Sequence, residues 1–196
     1  MKISEVIIKK IENVGRGHYF TADDFIGIAS PETIRQNLSR LAKSGLLLRI
    51  TNGFFYYPEK IKDTDLDMPV FPTTHIYEFA KRNKFEVMYL DTSLFELLEV
   101  ENPYPDEMVF ITNGKSRVIK FEDIYEVRLV KTINMSYFKY RYERIGGLVY
   151  IASRIGKDNL TEKQKATIKE HFYSINRSRV ISDIQHVPAW FKEIVW

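Results

Sequence analysis

The stretch from Tyr19 to Pro58 constrains the fold of this chain more than any other segment. It reads YFTADDFIGIASPETIRQNLSRLAKSGLLLRITNGFFYYP. A short helix signal follows Thr21, a second helix signal follows Ser30, and two strand-like runs surround Asn52-Gly53. Two helices followed by a β-hairpin predict a winged helix-turn-helix, a fold that usually places its second helix in the DNA major groove.

The second helix of this stretch carries clear start and stop signals. Ser30 is a favoured N-cap residue, and Pro31 suits the first helical position because the N–H that it lacks would have no partner there. Gly45 is expected just past the helix end, where a left-handed backbone is common. Apolar residues recur between them at helical spacing and predict a buried stripe of Ile34, Leu38, Leu41 and Ala42. Asn52-Gly53 is expected to form a two-residue type I′ turn.

The opposite face of this helix is polar and basic. Arg and Gln side chains can contact guanine and adenine edges in pairs of hydrogen bonds, and Arg and Lys also hold phosphates. The alternative interpretation is a solvated helix face that binds nothing. We expect DNA to be bound by Thr33, Arg35, Gln36, Ser39, Arg40, Lys43, Arg49 and Asn52.

Charge is distributed unevenly along the chain. Residues 1–62 hold ten Lys or Arg and six Asp or Glu, a balance of +4, whereas residues 63–196 hold nineteen and twenty, a balance of −1. The positive charge thus lies on the part that is predicted to contact phosphates. Because the excess is modest, we expect a monomer or weak dimer in solution that is paired on double-stranded DNA, on an operator of inverted repeats.

Two domains are expected, in an α+β fold. Residues 1–62 form the predicted winged helix-turn-helix, which begins with a helix in MKISEVIIKKIENVG and is expected to fold by itself. Residues 66–196 form a mixed α+β domain. The stretch at their boundary, residues 60–72, is interpreted as a linker, because its alternating aspartates Asp63, Asp65 and Asp67 lack the glycine and the final glutamate of a calcium loop.

Strand signals dominate the first half of the second domain. Residues 108–112 and 117–121 are predicted to pair as a hairpin around Asn113-Gly114, and residues 125–132 form a third strand. Helical spacing then begins near Tyr140, and a further helix opens at Thr161. Gly146-Gly147 lies inside the first of these helices and is expected to permit close packing.

Signals for catalysis are weak, so no enzymatic activity, no cofactor and no metal site are expected. The chain has no cysteine and four scattered histidines, and it lacks a glycine-rich phosphate loop. A nuclease centre would need carboxylates and a lysine on adjacent strands, for which the raw material is Glu122, Asp123, Glu126, Arg128 and Lys131. No signal peptide or membrane span is expected, and the predicted location is cytoplasmic.

Basic residues in the second domain are interleaved with aromatic ones between residues 137 and 144. Such mixtures occur in nucleic-acid and protein interfaces, and equally where long side chains cover the start of an amphipathic helix. The candidate interface residues are Lys139, Arg141 and Arg144.

Through the segment MVFITNGKSRVIKF and the predicted wing GLLLRITNGFFYYP, the chain resembles the AbiEi family of antitoxins and related regulators, and the similarity covers essentially its whole length. The segment MVFITNGKSRVIKF is similar to a family pattern, T-[ND]-G-x-S-R, which Thr112, Asn113, Gly114, Ser116 and Arg117 match. The predicted wing resembles the family's wing through Gly45, Arg49, Gly53, Tyr56 and Pro58. One departure is that LLEVE replaces the Leu-Gly-Leu-Ser segment that often precedes the second motif, which puts the identity or presence of a toxin in doubt.

The resemblance implies a bacterial DNA-binding autorepressor that is the antitoxin of an AbiE-like type IV toxin–antitoxin or phage-defence system. It implies a functional link to a nucleotidyltransferase-like toxin, without a tight complex, and adds Arg117 to the interface candidates. Two alternatives stay open. The second domain could be a nuclease-like part of a DNA-processing enzyme, or it could bind a small molecule in a ligand-sensing repressor.

Overall fold

The computed structural model describes residues 2–121, 125–175 and 177–196, and over these residues the chain is a mixed α+β protein with eight α-helices and two β-sheets. Contacts divide it into two compact units. The first consists of Met1–Phe79 and Lys120–Tyr125, and the second of Ala80–Ile119 and Glu126–Trp196. The boundary expected at residues 62–66 lies inside the first of these units.

The first unit begins with two helices that enclose a short strand. Its elements are α1 (Ile3–Val14), β1 (His18–Phe20), a 3₁₀ turn (Ala22–Phe25), α2 (Pro31–Lys43), β2 (Leu48–Thr51) and β3 (Phe54–Tyr57). Strand β3 pairs antiparallel with both others, so the sheet order is β1-β3-β2. The predicted β2–β3 hairpin is confirmed, whereas β1 was not predicted.

Apolar side chains from the helices and the sheet form the main core of this unit. The amphipathic spacing of α1 and α2 turns one stripe of each helix toward the sheet. The buried members are Ile7, Ile11, Phe20, Phe25, Ile34, Leu38, Leu47, Phe55 and Tyr57.

Strand β3 is buried on both faces. Because successive side chains of a strand point to opposite sides, Phe55 and Tyr57 enter the main core while Phe54 and Tyr56 lie on the other face. There the Tyr19 ring stacks on Phe54, with 5.1 Å between centroids. We call this second packed group the aromatic layer; it consists of Tyr19, Phe54, Tyr56, His75, Phe79, Phe121 and Tyr125.

The second unit contains most of the other elements, and the division between units falls within α3 (Pro72–Arg82). The strands that follow are β4 (Val87–Leu90), β5 (Met108–Thr112), β6 (Arg117–Phe121) and β7 (Tyr125–Lys131). The helices are α4 (Ser93–Leu97), α5 (Glu143–Ile155), α6 (Glu162–Ser174), α7 (Arg177–Asp183) and α8 (Ala189–Val195), and 3₁₀ turns span Met135–Lys139 and Ile184–His186.

The strand order of the second sheet, β4-β5-β7-β6, corrects one prediction. The three predicted strands exist, but β5 and β6 are not a hairpin, because β7 lies between them and runs parallel to β5. A type I′ turn needs a positive φ at both central residues, and neither Asn113 nor Gly114 has one. The antiparallel partner of β5 is β4, which was not predicted as a strand.

Helix α5 is the central helix of the second unit, and eight consecutive residues, Ile145–Ala152, are buried in it. Gly147 allows this burial: a Cβ atom there would lie 2.8 Å from Leu94 Cδ1. The sequence-based expectation that the two glycines permit close packing is confirmed.

None of the helices in the described part of the chain is both long and apolar enough to cross a membrane.

Candidate nucleic-acid interface

Helix α2 has well-formed ends that fix its position. Ser30 Oγ accepts a hydrogen bond from the Thr33 N–H at 3.3 Å, and Pro31 occupies the first helical position. At the other end Gly45 has a φ of 81°, and the Leu46 N–H donates to Leu41 O at 3.0 Å. This is the Schellman pattern, which satisfies carbonyl groups that the last turn leaves without partners. Both predicted caps are confirmed.

The two faces of α2 differ as the spacing predicts. Of the predicted buried stripe, Ile34 and Leu38 are buried, whereas Leu41 and Ala42 are only partly buried against the same core. Arg35, Gln36, Arg40 and Lys43 are exposed, while Thr33 and Ser39 are half-buried at the border between the faces. The helix therefore presents two guanidinium groups, an ammonium and an amide to solvent along three turns.

One acidic residue organises the first turns of the exposed face. Glu32 Oε1 accepts a hydrogen bond from Gln36 Nε2 at 3.3 Å, and Glu32 Oε2 lies 3.7 Å from Arg35 Nη1. By contrast, the side chains of Arg40 and Lys43 make no hydrogen bond or ion pair with any residue that the structure describes. Glu32 was not predicted as a site residue, since an acid in the first turn also has a purely helical role.

The β2–β3 hairpin adds two of the predicted residues. The Arg49 guanidinium lies 5.7 Å from the centre of the Phe55 ring, and Asn52 is exposed in the turn. Only Gly53 has a positive φ there, 74°, so the type I′ turn predicted from Asn52-Gly53 is wrong. The pairing register shifts between Arg49 and Thr51, so the ladder is irregular beside the turn.

A groove of about 330 Å³ separates the C-terminal half of α2 from β2. Ser39, Lys43 and Arg49 lie along it, and its apolar lining comes from Ala42, Leu47 and Leu48. Three predicted DNA-binding residues from two elements therefore share one groove. A hydroxyl, an ammonium and a guanidinium beside an open groove are suited to phosphate oxygens.

The interface candidates of the second unit are not equivalent. Lys139 and Arg141 are exposed, and the exposed Arg117 guanidinium lies 5.6 Å from the Phe85 ring centre. Arg144 is engaged within the unit: it forms an ion pair with Asp91, and its Nε donates to His171 Nε2 at 2.7 Å. Burial, and next the adjacent Arg144 charge, lower the pKa of His171.

The T-N-G-x-S-R segment forms hydrogen bonds with neighbouring strands at one end of the second sheet. Thr112 Oγ1 donates to Glu86 O at 2.8 Å, and Asn113 Oδ1 accepts from the Glu86 N–H at 2.8 Å. Ser116 Oγ accepts from the Lys131 N–H at 2.9 Å. The polar residues of the motif thus join the segment after β5 to the start of β4 and the end of β7, which accounts for their chemistry without a ligand.

A second groove, of about 520 Å³, lies between α6 and α8. Trp190 and Ile194 are among its apolar lining residues, and lysine and acidic side chains both line it. Lys165 pairs with Glu162 at 2.7 Å, whereas Lys169 has no ion pair among the described residues. Because the lysines and acids are equal in number, the groove has no marked preference for either sign of charge.

The carboxylates considered for a nuclease are only partly described. Arg128 is paired with Glu107, not with an acid of its own strand. Glu122 and Asp123 lie outside the described residues. Within the described part of the chain, no three His, Asp or Glu side chains are grouped in a way that could hold a metal ion.

Comparison with known proteins gives a family and no function. No curated protein matches the chain. A family model described as a family of unknown function, DUF6088, matches residues 6–180, which is most of the chain, and the protein therefore belongs to the DUF6088 family.

Proposed function

We propose that α1 to β3 form a winged helix in which α2 is the DNA-recognition helix. The supporting observations are the order helix, strand, 3₁₀ turn, helix and two strands, and the sheet order β1-β3-β2. In this proposal the 3₁₀ turn Ala22–Phe25 takes the place of the first helix of the helix-turn-helix, and the β2–β3 hairpin is the wing.

The module binds double-stranded DNA through the exposed face of α2. The observation that carries this proposal is the set of exposed polar side chains on one face of a well-capped helix, with Arg49 across the adjoining groove. A major groove about 12 Å wide admits an α-helix. Arg35 and Gln36 contact base edges, Ser39, Arg40, Lys43 and Arg49 hold phosphates, and Thr33 and Asn52 add contacts at the margins.

The biological role that we propose is a cytoplasmic transcriptional autorepressor and antitoxin without enzymatic activity. The support is the resemblance to AbiEi-type antitoxins in the wing and in the T-N-G-x-S-R segment. The protein is a monomer or weak dimer that pairs on an operator of inverted repeats, and it counteracts a nucleotidyltransferase-like toxin through its second unit.

A second candidate role is ligand-sensing repression. The observation that favours it is the groove between α6 and α8, whose volume of about 520 Å³ lies in the range of small-molecule sites. A thermal-shift screen of metabolites separates this role from the first, because only a sensor is stabilised by a small molecule in the absence of DNA.

The test of DNA binding is a titration of the full chain against duplexes selected from a random-sequence pool. We expect Arg35→Ala and Gln36→Ala each to weaken binding to the selected duplex by about 1–3 kcal/mol. Arg40→Ala should weaken binding to selected and scrambled duplexes alike, and should flatten the salt dependence, because one fewer counterion is released.

Lys9→Ala is the matched control, since it removes one exposed positive charge from α1 instead of α2. A chain that enriches no duplex contradicts the proposal. So does a series in which all three α2 variants bind as tightly as the unchanged chain, whatever the result for Lys9→Ala.

A further inference from the structure

Glu32 is an acid on a helix face that is otherwise suited to DNA, and the role inferred for it rests on the proposed function. Its side chain is largely exposed, at 69%, and that of Arg35 is exposed at 58%. A carboxylate in this position repels phosphates, so its presence lowers the affinity of the face for any nucleic acid. It must therefore contribute something other than general affinity.

Helix stability is the first possible contribution, but it does not require these contacts. A carboxylate in the first turn of a helix is stabilising because it lies near the positive end of the helix dipole. That effect needs only the charge. Glu32 also uses each of its two oxygens on a different candidate reader, Oε1 on Gln36 and Oε2 toward Arg35.

These contacts are weak enough to be exchanged. At 3.7 Å and in solvent, the pair between Glu32 and Arg35 contributes little to folding. Guanine offers the O6 and N7 acceptors for a guanidinium, and adenine offers N7 and the N6 amino group for a glutamine side chain. A matching base can thus replace Glu32 as the partner of Arg35 or Gln36, whereas a mismatched base cannot.

After this exchange, the Glu32 carboxylate has free lone pairs inside the DNA major groove. Cytosine presents its N4 amino group there, the donor to which Glu and Asp side chains are matched. An unpaired carboxylate facing acceptor atoms would instead be strongly unfavourable. Glu32 thereby strengthens binding to a sequence with cytosine at this position and weakens binding to a sequence without it.

We propose that Glu32 is a specificity-determining residue that accepts a hydrogen bond from a cytosine N4 amino group, and that its charge weakens the contacts of Arg35 and Gln36 with phosphates on other DNA. Its effect lies in discrimination between sequences. Overall affinity is lower with Glu32 than without it on non-specific DNA.

The experiment compares Glu32→Gln and Glu32→Ala with the unchanged full chain on two probes. One probe is the duplex that the unchanged chain selects from a random pool, and the other is a scrambled duplex of equal composition. We expect both variants to bind the scrambled duplex more tightly, and the ratio of the two affinities to fall by about tenfold in Glu32→Ala. The salt dependence on the scrambled duplex should steepen by about one released counterion, because Arg35 becomes free to contact a phosphate.

Renewed selection with Glu32→Ala should also lose a cytosine at one position of the site. Glu12→Gln is the control, because it removes an equal charge from an exposed position of α1. An affinity ratio within about twofold of the unchanged chain in both variants overturns the proposal, as does a selected site that keeps every base preference.

A purely structural role for Glu32 gives a different result. Loss of helix stability lowers binding to both duplexes together and lowers the helical circular dichroism signal, which leaves the ratio unchanged and overturns the inference. If the unchanged chain enriches no duplex at all, the proposed DNA-binding function itself fails, and that outcome is visible before any Glu32 variant is compared.

Discussion

At the scale of single residues, the first unit contains a histidine that is kept neutral. His75 is buried in the aromatic layer, where its Nδ1 lies 2.8 Å from the Tyr19 hydroxyl and the Tyr56 ring meets it edge-on. Burial penalises the charged imidazolium and lowers the pKa of His75 from its ordinary 6.5 to about 4. Burial also raises the pKa of Tyr19, so both partners of this hydrogen bond are neutral near pH 7.

The depressed pKa makes the stability of the first unit depend on acid. Between pH 6.5 and about 4 the unfolded chain binds a proton at His75 that the folded chain does not. The contribution of neutral His75 to stability should therefore be fully present above pH 6.5. As the pH is lowered toward 4, the free energy of unfolding should fall by about 1–3 kcal/mol. Urea unfolding of the full chain from pH 7.5 to 4, followed by circular dichroism, measures this loss.

His75→Phe is the comparison variant, since it removes the titrating group and should remove this part of the acid sensitivity. The pKa itself can be read from the imidazole proton shifts in NMR spectra, with the missing signal of His75→Phe giving the assignment. A His75 signal that titrates near pH 6.5 is incompatible with a buried, uncharged ring.

At the scale of elements, β3 has two packed faces. Phe54 and Phe55 are each 1% exposed, although they point to opposite sides of a three-stranded sheet. Phe55 belongs to the core with α1 and α2, and Phe54 to the aromatic layer. A fragment of residues 1–62 contains one core and lacks His75, Phe79, Phe121 and Tyr125 of the other, which argues against the expectation that it folds by itself.

Truncating either phenylalanine should therefore cost a similar amount. We expect Phe54→Ala and Phe55→Ala each to lower the free energy of unfolding by about 3–5 kcal/mol, because each leaves a cavity in a packed core. Leu48→Ala, on the neighbouring strand, is the control and should have a small effect because Leu48 is 41% exposed. If Phe54→Ala left the free energy of unfolding almost unchanged while Phe55→Ala lowered it strongly, the sheet would be covered on one face alone.

The elements also show which signals in the sequence were sufficient. The ends of α2 could be predicted because Ser30-Pro31 and Gly45 act through hydrogen bonds to residues within one turn. The hairpin predicted around Asn113-Gly114 was wrong, because the residues of a tight turn do not specify which strands become neighbours. Here β7 lies between β5 and β6, the two strands that the turn would join. The four aromatic residues of β3 carry no periodic signal, since a strand buried on both faces shows no alternation.

For the candidate site, the sequence predicted which residues are exposed but not which residues they contact. Helical spacing alone distinguishes Arg35, Gln36 and Arg40 from the buried stripe of α2. The intramolecular partners could not be inferred, because the contacts of Glu32 depend on rotamers and those of Arg144 on residues distant in sequence, Asp91 and His171.

At the scale of the whole molecule, the proposal divides two tasks between the two units. In this proposal DNA binding depends on residues 1–62 of the first unit, whose charge balance is +4, and the antitoxic effect depends on the second unit. We expect Arg40→Ala to relieve repression of a reporter while still protecting cells that co-express the nucleotidyltransferase-like toxin. Arg117→Ala and Arg141→Ala should have the opposite phenotype, since both residues are exposed in the second unit.

The measurements are reporter output and growth, each with the full chain at equal expression. Lys9→Ala is again the neutral comparison. If Arg40→Ala loses protection together with repression, the two tasks are not separable, and if no variant of the second unit alters growth, these two arginines have no part in countering the toxin.

The insertion of β7 between β5 and β6 has a consequence for how the protein is made. On a ribosome, β5 and β6 emerge before the strand that must join them, and β5 has only its pairing with β4 to form at that stage. Until residue 131 has been added, the two strands keep facing edges of unpaired backbone groups, one of them beside the buried side chains Val109, Phe110 and Ile111. A nascent chain paused in this interval offers a template for foreign strands, so we expect it to be more prone to aggregation before β7 is complete than after.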